Sequence, residues 1–386
     1  MKKLGLCVRY DCDNYGSMLQ IFATQEAIKK MGWSYEIILY DKRTFAFYIK
    51  NITRIFNPYF ISDKAMIIKK KMRISKYKDI EKRNELRREK IKSYREHYIG
   101  PYSQIYKGYE MLKRGTCKYD AVMVGSDQLW TPAGIRSKFY NLLFVPEQIK
   151  KISFSTSFGV DSIPKIQRRL TRKYLERIDF LSVRELSGKK IIKELTKRDA
   201  AVTLDPTLLF NKYDWEAFFQ TKKLISEPYI FAYFLGTNPL HRDAVEKLGR
   251  EKKIKIVTCP HMDDFVDRDR TFGDIQLFDI DPIDFLNLIR GAEFICTDSF
   301  HGTVFSIIHN KKFLTFNRYA DGDKNSKNSR IDSLCSLLEI ESRRFRNIQN
   351  ISHDIEQDID YQTVDSKLGI LREQTLSFLM KALTDR

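Results

Sequence analysis

The chain has no CxxC pair and no HExxH, so neither zinc-type cysteine spacing nor a catalytic metal helix is present. It also lacks GxGxxG and GxxxxGK[ST], which leaves dinucleotide and ATP chemistry without support. No GxSxG elbow accompanies its serines. No apolar run approaches the ~20 residues that span a bilayer. The opening stretch, MKKLGLCVRYDCDNYG, has only a short apolar segment before charged and polar residues, unlike a signal peptide. Internal repeats, low-complexity tracts and recognised nucleic-acid modules are missing too. These absences predict a cytoplasmic protein that needs no metal and has no nucleic-acid partner.

What is present is a long, basic, well-packed chain. Its 386 residues fit two domains of roughly 150–200 residues each. An apolar content of 42%, with 13% aromatic residues, supplies ordinary cores. The six cysteines are dispersed, and Cys7, Cys259 and Cys296 lie in apolar runs, as small core residues do. The net charge is +18, and it is uneven. Between Lys64 and Lys92 stand 13 Lys and Arg against four acids. Residues 64–92 read either as a solvated helical face or as a patch for an anionic membrane surface.

Strand-like and helix-like runs alternate. Leu4–Val8, Tyr35–Leu39, Ala121–Val124, Ile152–Ser155, Leu181–Val183 and Ala201–Leu204 read as strands, and Gly16–Lys30 as a helix. A basic, tyrosine-rich interval from about 44 to 118 reads as a mostly helical insertion. After the polar stretch Thr221–Pro228 a second alternation begins. Its strands are Tyr229–Leu235, Ile254–Thr258, Ile275–Phe278, Phe294–Cys296 and Phe313–Phe316, with helices at Leu240–Glu251, Pro282–Arg290 and Gly302–His309. The expected fold class is α/β: two doubly wound, Rossmann-like domains facing each other across a cleft, over 1–220 and 221–345. A final helical segment, 346–386, is expected to pack back on them. Ligands in such sheets bind beyond the carboxyl ends of strands.

The polar motifs fall at those ends. Phe294–Phe316 runs from an apolar strand through Thr297-Asp298-Ser299 to His301-Gly302 and an amphipathic helix. A helix N-terminus offers N–H groups and a positive dipole end to an anion, and His301 adds a group that moves protons near neutral pH. Asp298, Ser299 and Gly302 are therefore candidate substrate-binding residues. His309, in the last turn of the same helix, reads as a cationic partner of its dipole. The segment Asp11–Ser17 joins the first strand to the first helix. It reads as a helix cap or as a ligand loop built on Asn14, Gly16 and Gln20. Ser126-Asp127-Gln128 follows a strand directly, and Trp130 beyond them suits either a sugar ring or the core. Arg184, at another strand end, suits bidentate contact with phosphate or carboxylate, or a structural pair with Glu185. Asp205-Pro206 reads as a turn. Lys324, Lys327 and Arg330 sit in a polar loop and either complete an anion pocket or merely solvate the loop.

Taken in order, DNYGSMLQ at 13–20, YDAVMVGSDQLW at 119–130, FLSVRE at 180–185, VTLDPTLLF at 202–210 and FICTDSFHGTVFSI at 294–307 resemble the polysaccharide pyruvyl transferase family, with NSRI at 328–331 similar to its tail motif. The resemblance spans roughly residues 1–345. It implies a two-domain fold like that of GT-B glycosyltransferases. It also implies transfer of pyruvate from phosphoenolpyruvate to two hydroxyls of a sugar, with a bacterial-type surface glycan or its lipid-linked precursor as acceptor and no cofactor beyond the donor. Such an acceptor would place the protein at the inner face of the membrane. The family's S-x-H-G histidine maps onto His301, its S-x-R arginine onto Arg184, and its later basic residue onto Arg318 or Lys324. The alternatives are a GT-B-type enzyme using a nucleotide sugar and a non-catalytic glycan- or membrane-binding protein.

Overall fold

In the computed structural model of the chain, the two alternations become two parallel sheets. The structure describes residues 2–43, 77–132, 138–260, 266–319 and 328–385, together with Ile68, Met72 and Ser75. The first sheet holds β1 (Lys3–Cys7), β2 (Ser34–Asp41), β3 (Tyr102–Lys107), β4 (Ala121–Val124) and β5 (Lys150–Ser153), in the order β3-β2-β1-β4-β5. Its central register sets Leu4 against both Tyr35 and Ala121. A short parallel pair, β6 (Ser182–Val183) and β7 (Ala201–Val202), continues beyond β5 through the bridges Ile152–Phe180 and Thr156–Val183. The helices of this half are α1 (Tyr15–Lys30), α2 (Lys78–Tyr98), α3 (Tyr109–Gly115), α4 (Lys165–Glu176), α5 (Leu186–Thr196) and α6 (Lys212–Phe218).

The second sheet repeats the winding with β8 (Tyr229–Tyr233), β9 (Lys255–Thr258), β10 (Ile275–Gln276), β11 (Phe294–Thr297) and β12 (Lys312–Thr315), in the order β10-β9-β8-β11-β12. Its helices are α7 (Pro239–Lys252), α8 (Pro282–Gly291), α9 (Phe300–Ile308), α10 (Ser329–Leu338), α11 (Ile351–Glu356) and α12 (Tyr361–Thr384). In each sheet the strand order reverses beside the first strand. The two crevices so formed, at β1/β4 and β8/β11, are where ligands bind such folds. Strong local signals explain the precise helix starts. Asp281 and Asp284 form a reciprocal capping box on α8 with Pro282 at its first turn, and Asn14 caps α1.

Apolar contact between the two halves is continuous. Tyr15 stacks on Phe285 at 5.2 Å, and the fully buried Trp215 meets Phe305 edge-on at 5.0 Å. Arg87 of α2 is buried and donates to the carbonyls of Pro260 (2.6 Å), Leu277 (3.0 Å) and Phe278 (3.3 Å). α12 returns to the first half, where Leu204 N donates to Thr375 Oγ1 (3.0 Å) and Arg372 Nε to the Leu208 carbonyl (2.7 Å).

The structure adds detail to four of the sequence expectations. In its described part the interval 44–118 holds helices α2 and α3 and, unforeseen from the sequence, β3, which forms the edge of the first sheet. This strand buries only Ser103 and Tyr106, so it has no apolar run to betray it. Trp130 is a core residue, its Nε1 donating to the Tyr140 carbonyl (3.0 Å) and its ring lying against Phe158 and Tyr174, so it is not placed to stack on a sugar. Burial, with Arg290, Lys311 and Lys212 nearby, pushes His309 down to about 3; it is neutral near pH 7 and adds no charge to the end of α9. Finally, the charge surplus of 64–92 is concentrated at 64–76, which holds six of the 13 basic residues and lies almost wholly outside the described residues. Helix α2 itself mixes both signs. Among the described residues no helix is long and apolar enough to cross a membrane.

Candidate active site

The turn after β11 is held by its own hydroxyls. Thr297 Oγ1 donates to the Tyr233 carbonyl (2.6 Å) and accepts from Ser299 N (3.0 Å). Ser299 caps α9, its Oγ accepting from Gly302 N (3.3 Å). A Cβ on Gly302 would lie 2.5 Å from Thr297 Oγ1, so only glycine lets the helix start this close to the strand. Two N–H groups that the sequence offers to an anion are thus satisfied internally. Asp298 is likewise a structural residue. Its Oδ1 accepts from Leu235 N and its Oδ2 from Gly236 N, both at 2.7 Å, which closes the loop after β8. Arg318 Nη2 donates to the Asp298 carbonyl (3.1 Å) and stands 3.6 Å from its carboxylate.

His301 leans out of this frame onto the other sheet. A Cβ on Gly16, in the first turn of α1, would lie 2.3–2.5 Å from the His301 ring and its Cβ. Gly16 is therefore the residue that lets the imidazole cross between the two halves. His301 Nε2 is buried, has no hydrogen-bond partner among the described residues, and lies 3.7 Å from Asp205 Oδ2. That separation is too long for a hydrogen bond but within the range of strong charge attraction.

Asp205 is the centre of the cluster. Its Oδ1 caps the turn at Pro206–Leu209, accepting from Thr207 N (3.1 Å) and Thr207 Oγ1 (2.6 Å). Its Oδ2 accepts from Ser126 Oγ (3.0 Å) and from Arg184 Nη1 (2.5 Å) while facing His301. Burial alone would raise its carboxyl, but His301, Arg184 and Thr207 together hold it well below the usual carboxylate range. Arg184 Nη2 lies 3.9 Å from Asp127 Oδ1, and the guanidinium stacks 4.3 Å over the Phe300 ring. Arg184 Nε and Nη2 are buried without hydrogen-bond partners among the described residues.

Asp127 has φ +80°, a strained conformation for a non-glycine residue and one that clusters at functional sites. Its carboxylate accepts from Ser17 Oγ (2.9 Å) and Gln128 N (2.8 Å). Despite burial, Arg184 and His301 hold it below its usual value. Arg330 is buried on the same Phe300 ring at 5.5 Å, and its Nε (3.1 Å) and Nη2 (2.9 Å) reach the Gln128 side chain when the amide oxygen is turned toward them. Burial, then repulsion from Arg184 and Arg318, pushes Arg330 down to about 9. A cation crowded by cations in this way favours an anion beside it. A cavity of 160 Å³ opens here, lined by Arg184, Asp205, Phe300, Arg330, Leu204 and Leu334 among others.

A family model described as polysaccharide pyruvyl transferase matches residues 14–319, spanning α1 to the loop after β12 and every residue of the cluster except Arg330. The chain belongs to the polysaccharide pyruvyl transferase family. No curated protein matches it. Solved structures similar to this pyruvyl transferase family member include a UDP-N-acetylglucosamine 2-epimerase (TM-score 0.56, 13% identity, covering 100% of this chain and 97% of that one). A putative UDP-N-acetylglucosamine 2-epimerase from Listeria monocytogenes is similar too (0.53, 11%, 100% and 97%), as is the S. aureus MnaA–UDP co-structure (0.53, 14%, 99% and 97%). At such identities the likeness concerns the fold, which is GT-B-like: two Rossmann-like domains.

Of the residues singled out from sequence in this pyruvyl transferase family chain, the fold brings together His301, Arg184, Ser126, Asp127, Gln128, Gly16 and Arg330. Asn14 acts one step away: its Oδ1 accepts from Ser17 N (3.0 Å), and Ser17 holds Asp127. Gln20 Nε2 turns along α1 to Thr24 Oγ1 (2.7 Å) and does not join the cluster through that group. Ser299, Gly302 and Asp298 build the frame, with Arg318 tied to Asp298. Lys324 and Lys327 lie outside the described residues. Arg184 pairs with Asp205 rather than Glu185, whose Oε1 accepts from Ser157 Oγ (2.8 Å) and Phe158 N (3.1 Å). Asp205 is the residue that sequence reasoning assigned to a turn alone. The turn signal is genuine and belongs to Oδ1, but it carries no information about Oδ2.

Proposed function

We propose that this chain transfers pyruvate from phosphoenolpyruvate to two hydroxyls of a sugar, in a bacterial-type surface glycan or its lipid-linked precursor, forming a cyclic ketal and releasing phosphate. The observation that carries this reading is the His301–Asp205–Arg184 cluster at the junction of the two sheets. Arg184 Nε and Nη2 and His301 Nε2 are there buried beside Arg330, without hydrogen-bond partners among the described residues. Arg184 and Arg330 suit the donor's carboxylate and phosphate, which carry several negative charges on three carbons.

In this reaction a proton adds to the donor's methylene carbon, which becomes a methyl group. The adjacent carbon gains oxocarbenium character and is attacked by one sugar hydroxyl. Its bond to the phosphate oxygen breaks, and the second hydroxyl closes the ketal. Of the two hydroxyl protons, one balances the new methyl hydrogen and the other leaves with phosphate. His301 serves as the group that delivers the proton to carbon or removes it from the hydroxyl. The Asp205 carboxylate, ionised throughout the neutral range, stabilises the imidazolium form in either role.

Ligand-dependent unfolding tests the donor. Saturation at about 100 times Kd stabilises a protein by about 2.7 kcal/mol. Phosphoenolpyruvate is expected to raise the melting temperature by several degrees, and UDP-N-acetylglucosamine to leave it unchanged. Stabilisation by the nucleotide sugar alone would reverse the donor assignment.

A further inference from the structure

Beside the site, the surface of the first half is charged very unevenly. Residues 165–198 hold twelve Lys and Arg against four acids. Helices α4 and α5 pack side by side here. α4 buries Thr171, Tyr174 and Leu175, and α5 buries Gly188, Ile191, Ile192 and Leu195. The local acids are already engaged, in Arg168–Glu194 (3.8 Å), Arg172–Glu176 (2.7 Å) and Lys189–Asp199 (3.4 Å). Arg177 and Arg198 turn to backbone carbonyls. Lys165, Arg169, Lys173, Lys190, Lys193 and Lys197 remain exposed, with no acidic partner among the described residues.

Two large apolar side chains stand among these cations. Ile166, in the first turn of α4, is 91% exposed, and Leu186, in the first turn of α5, is 52% exposed. α4 follows β5 and α5 follows β6, so both first turns lie at the carboxyl edge of the sheet, where the site opens. Leu186 comes two residues after Arg184 and lines the cavity described above. Ile166 is the most exposed large apolar side chain among the described residues. Nucleic acid would be met by the cations but would make no use of the isoleucine. An anionic bilayer takes both, with cations on the headgroups and apolar tips at the acyl boundary.

We infer that the α4–α5 face docks on an anionic lipid bilayer, with Ile166 inserted at the headgroup boundary and the mouth of the site turned toward the membrane. This contact is distinct from residues 64–92, and it stands apart from the donor chemistry because its readout is vesicle binding. The test is flotation of the full chain with phosphatidylcholine vesicles, with and without about a third phosphatidylglycerol. The wild type is expected to float only with the anionic vesicles and to detach as salt is raised. Arg169→Glu/Lys173→Glu/Lys190→Glu should weaken binding at least tenfold, and Ile166→Ser, which changes no charge, severalfold. Melting curves check that these surface variants fold. Three results would overturn the inference: no wild-type binding at low salt; variants that bind as wild type while Lys69→Glu/Lys70→Glu/Lys71→Glu does not; or an unaltered Ile166→Ser together with equally tight binding to duplex DNA.

Discussion

Replacing His301 with alanine should lower turnover by about 10²–10⁴-fold, the contribution of a well-placed acid or base, while the fold survives. The fold should survive because α9 is capped by Ser299 and seated through Gly302, neither of which depends on the imidazole. His301 Nε2 makes no hydrogen bond among the described residues, so the substitution breaks none at that atom, and Asp205 Oδ2 keeps Ser126 and Arg184. The ring instead bridges from α9 to Gly16 and sits 3.7 Å from Asp205 Oδ2. The check is steady-state pyruvyl transfer by His301→Ala and His301→Gln beside their circular-dichroism melts. Near-normal turnover in a folded variant would remove His301 from the proposed role.

Asp205→Asn should be costly in both activity and stability. The carboxylate is the counter-ion of Arg184 at 2.5 Å in a fully buried setting, and breaking such a pair by neutralising one partner costs about 3–5 kcal/mol. Turnover should fall as well, because Arg184 and His301 lose the charge that orients them. The pH dependence separates this from a simple packing defect. A carboxyl held below its usual value stabilises the folded chain above the ordinary carboxylate range near 4, and that contribution is lost as pH falls through the folded value. The carboxyl's own contribution to the stability gap between wild type and Asp205→Asn should therefore be constant above about pH 5 and lost in acid. Denaturant midpoints from about pH 2 to 8 measure it. A gap that failed to narrow as pH falls below about 4 would contradict a carboxyl held low by its neighbours.

The sheets and the His301 turn were legible because both rest on local patterns. Apolar runs of strand length, Pro282 at a helix start and a hydroxyl cluster before a helix each act within a few residues. Asp205 and Arg184 were harder. Both were visible as strand-end residues, but their pairing with each other, with Ser126 and with His301 spans 21 to 96 positions of chain and exists only once the two sheets meet. Asp298 shows the opposite failure. Its place in a polar cluster suggested a ligand, whereas the loop at Leu235–Gly236, brought alongside by the β8–β11 pairing, takes both of its oxygens. Strand β3 escaped because an edge strand with two buried side chains leaves too little pattern to read.

The proposed reaction moves pyruvate from phosphoenolpyruvate to a sugar at the His301–Asp205–Arg184 cluster. The most direct measurement is phosphate release from phosphoenolpyruvate in the presence of candidate glycan acceptors, followed by the mass of the product. The expected result is phosphate that appears only when an acceptor is present, one for each product molecule, with a product mass equal to acceptor plus pyruvate less water and no release by His301→Ala. Sugar transfer from a UDP-sugar, with phosphoenolpyruvate left intact across acceptors, would contradict it.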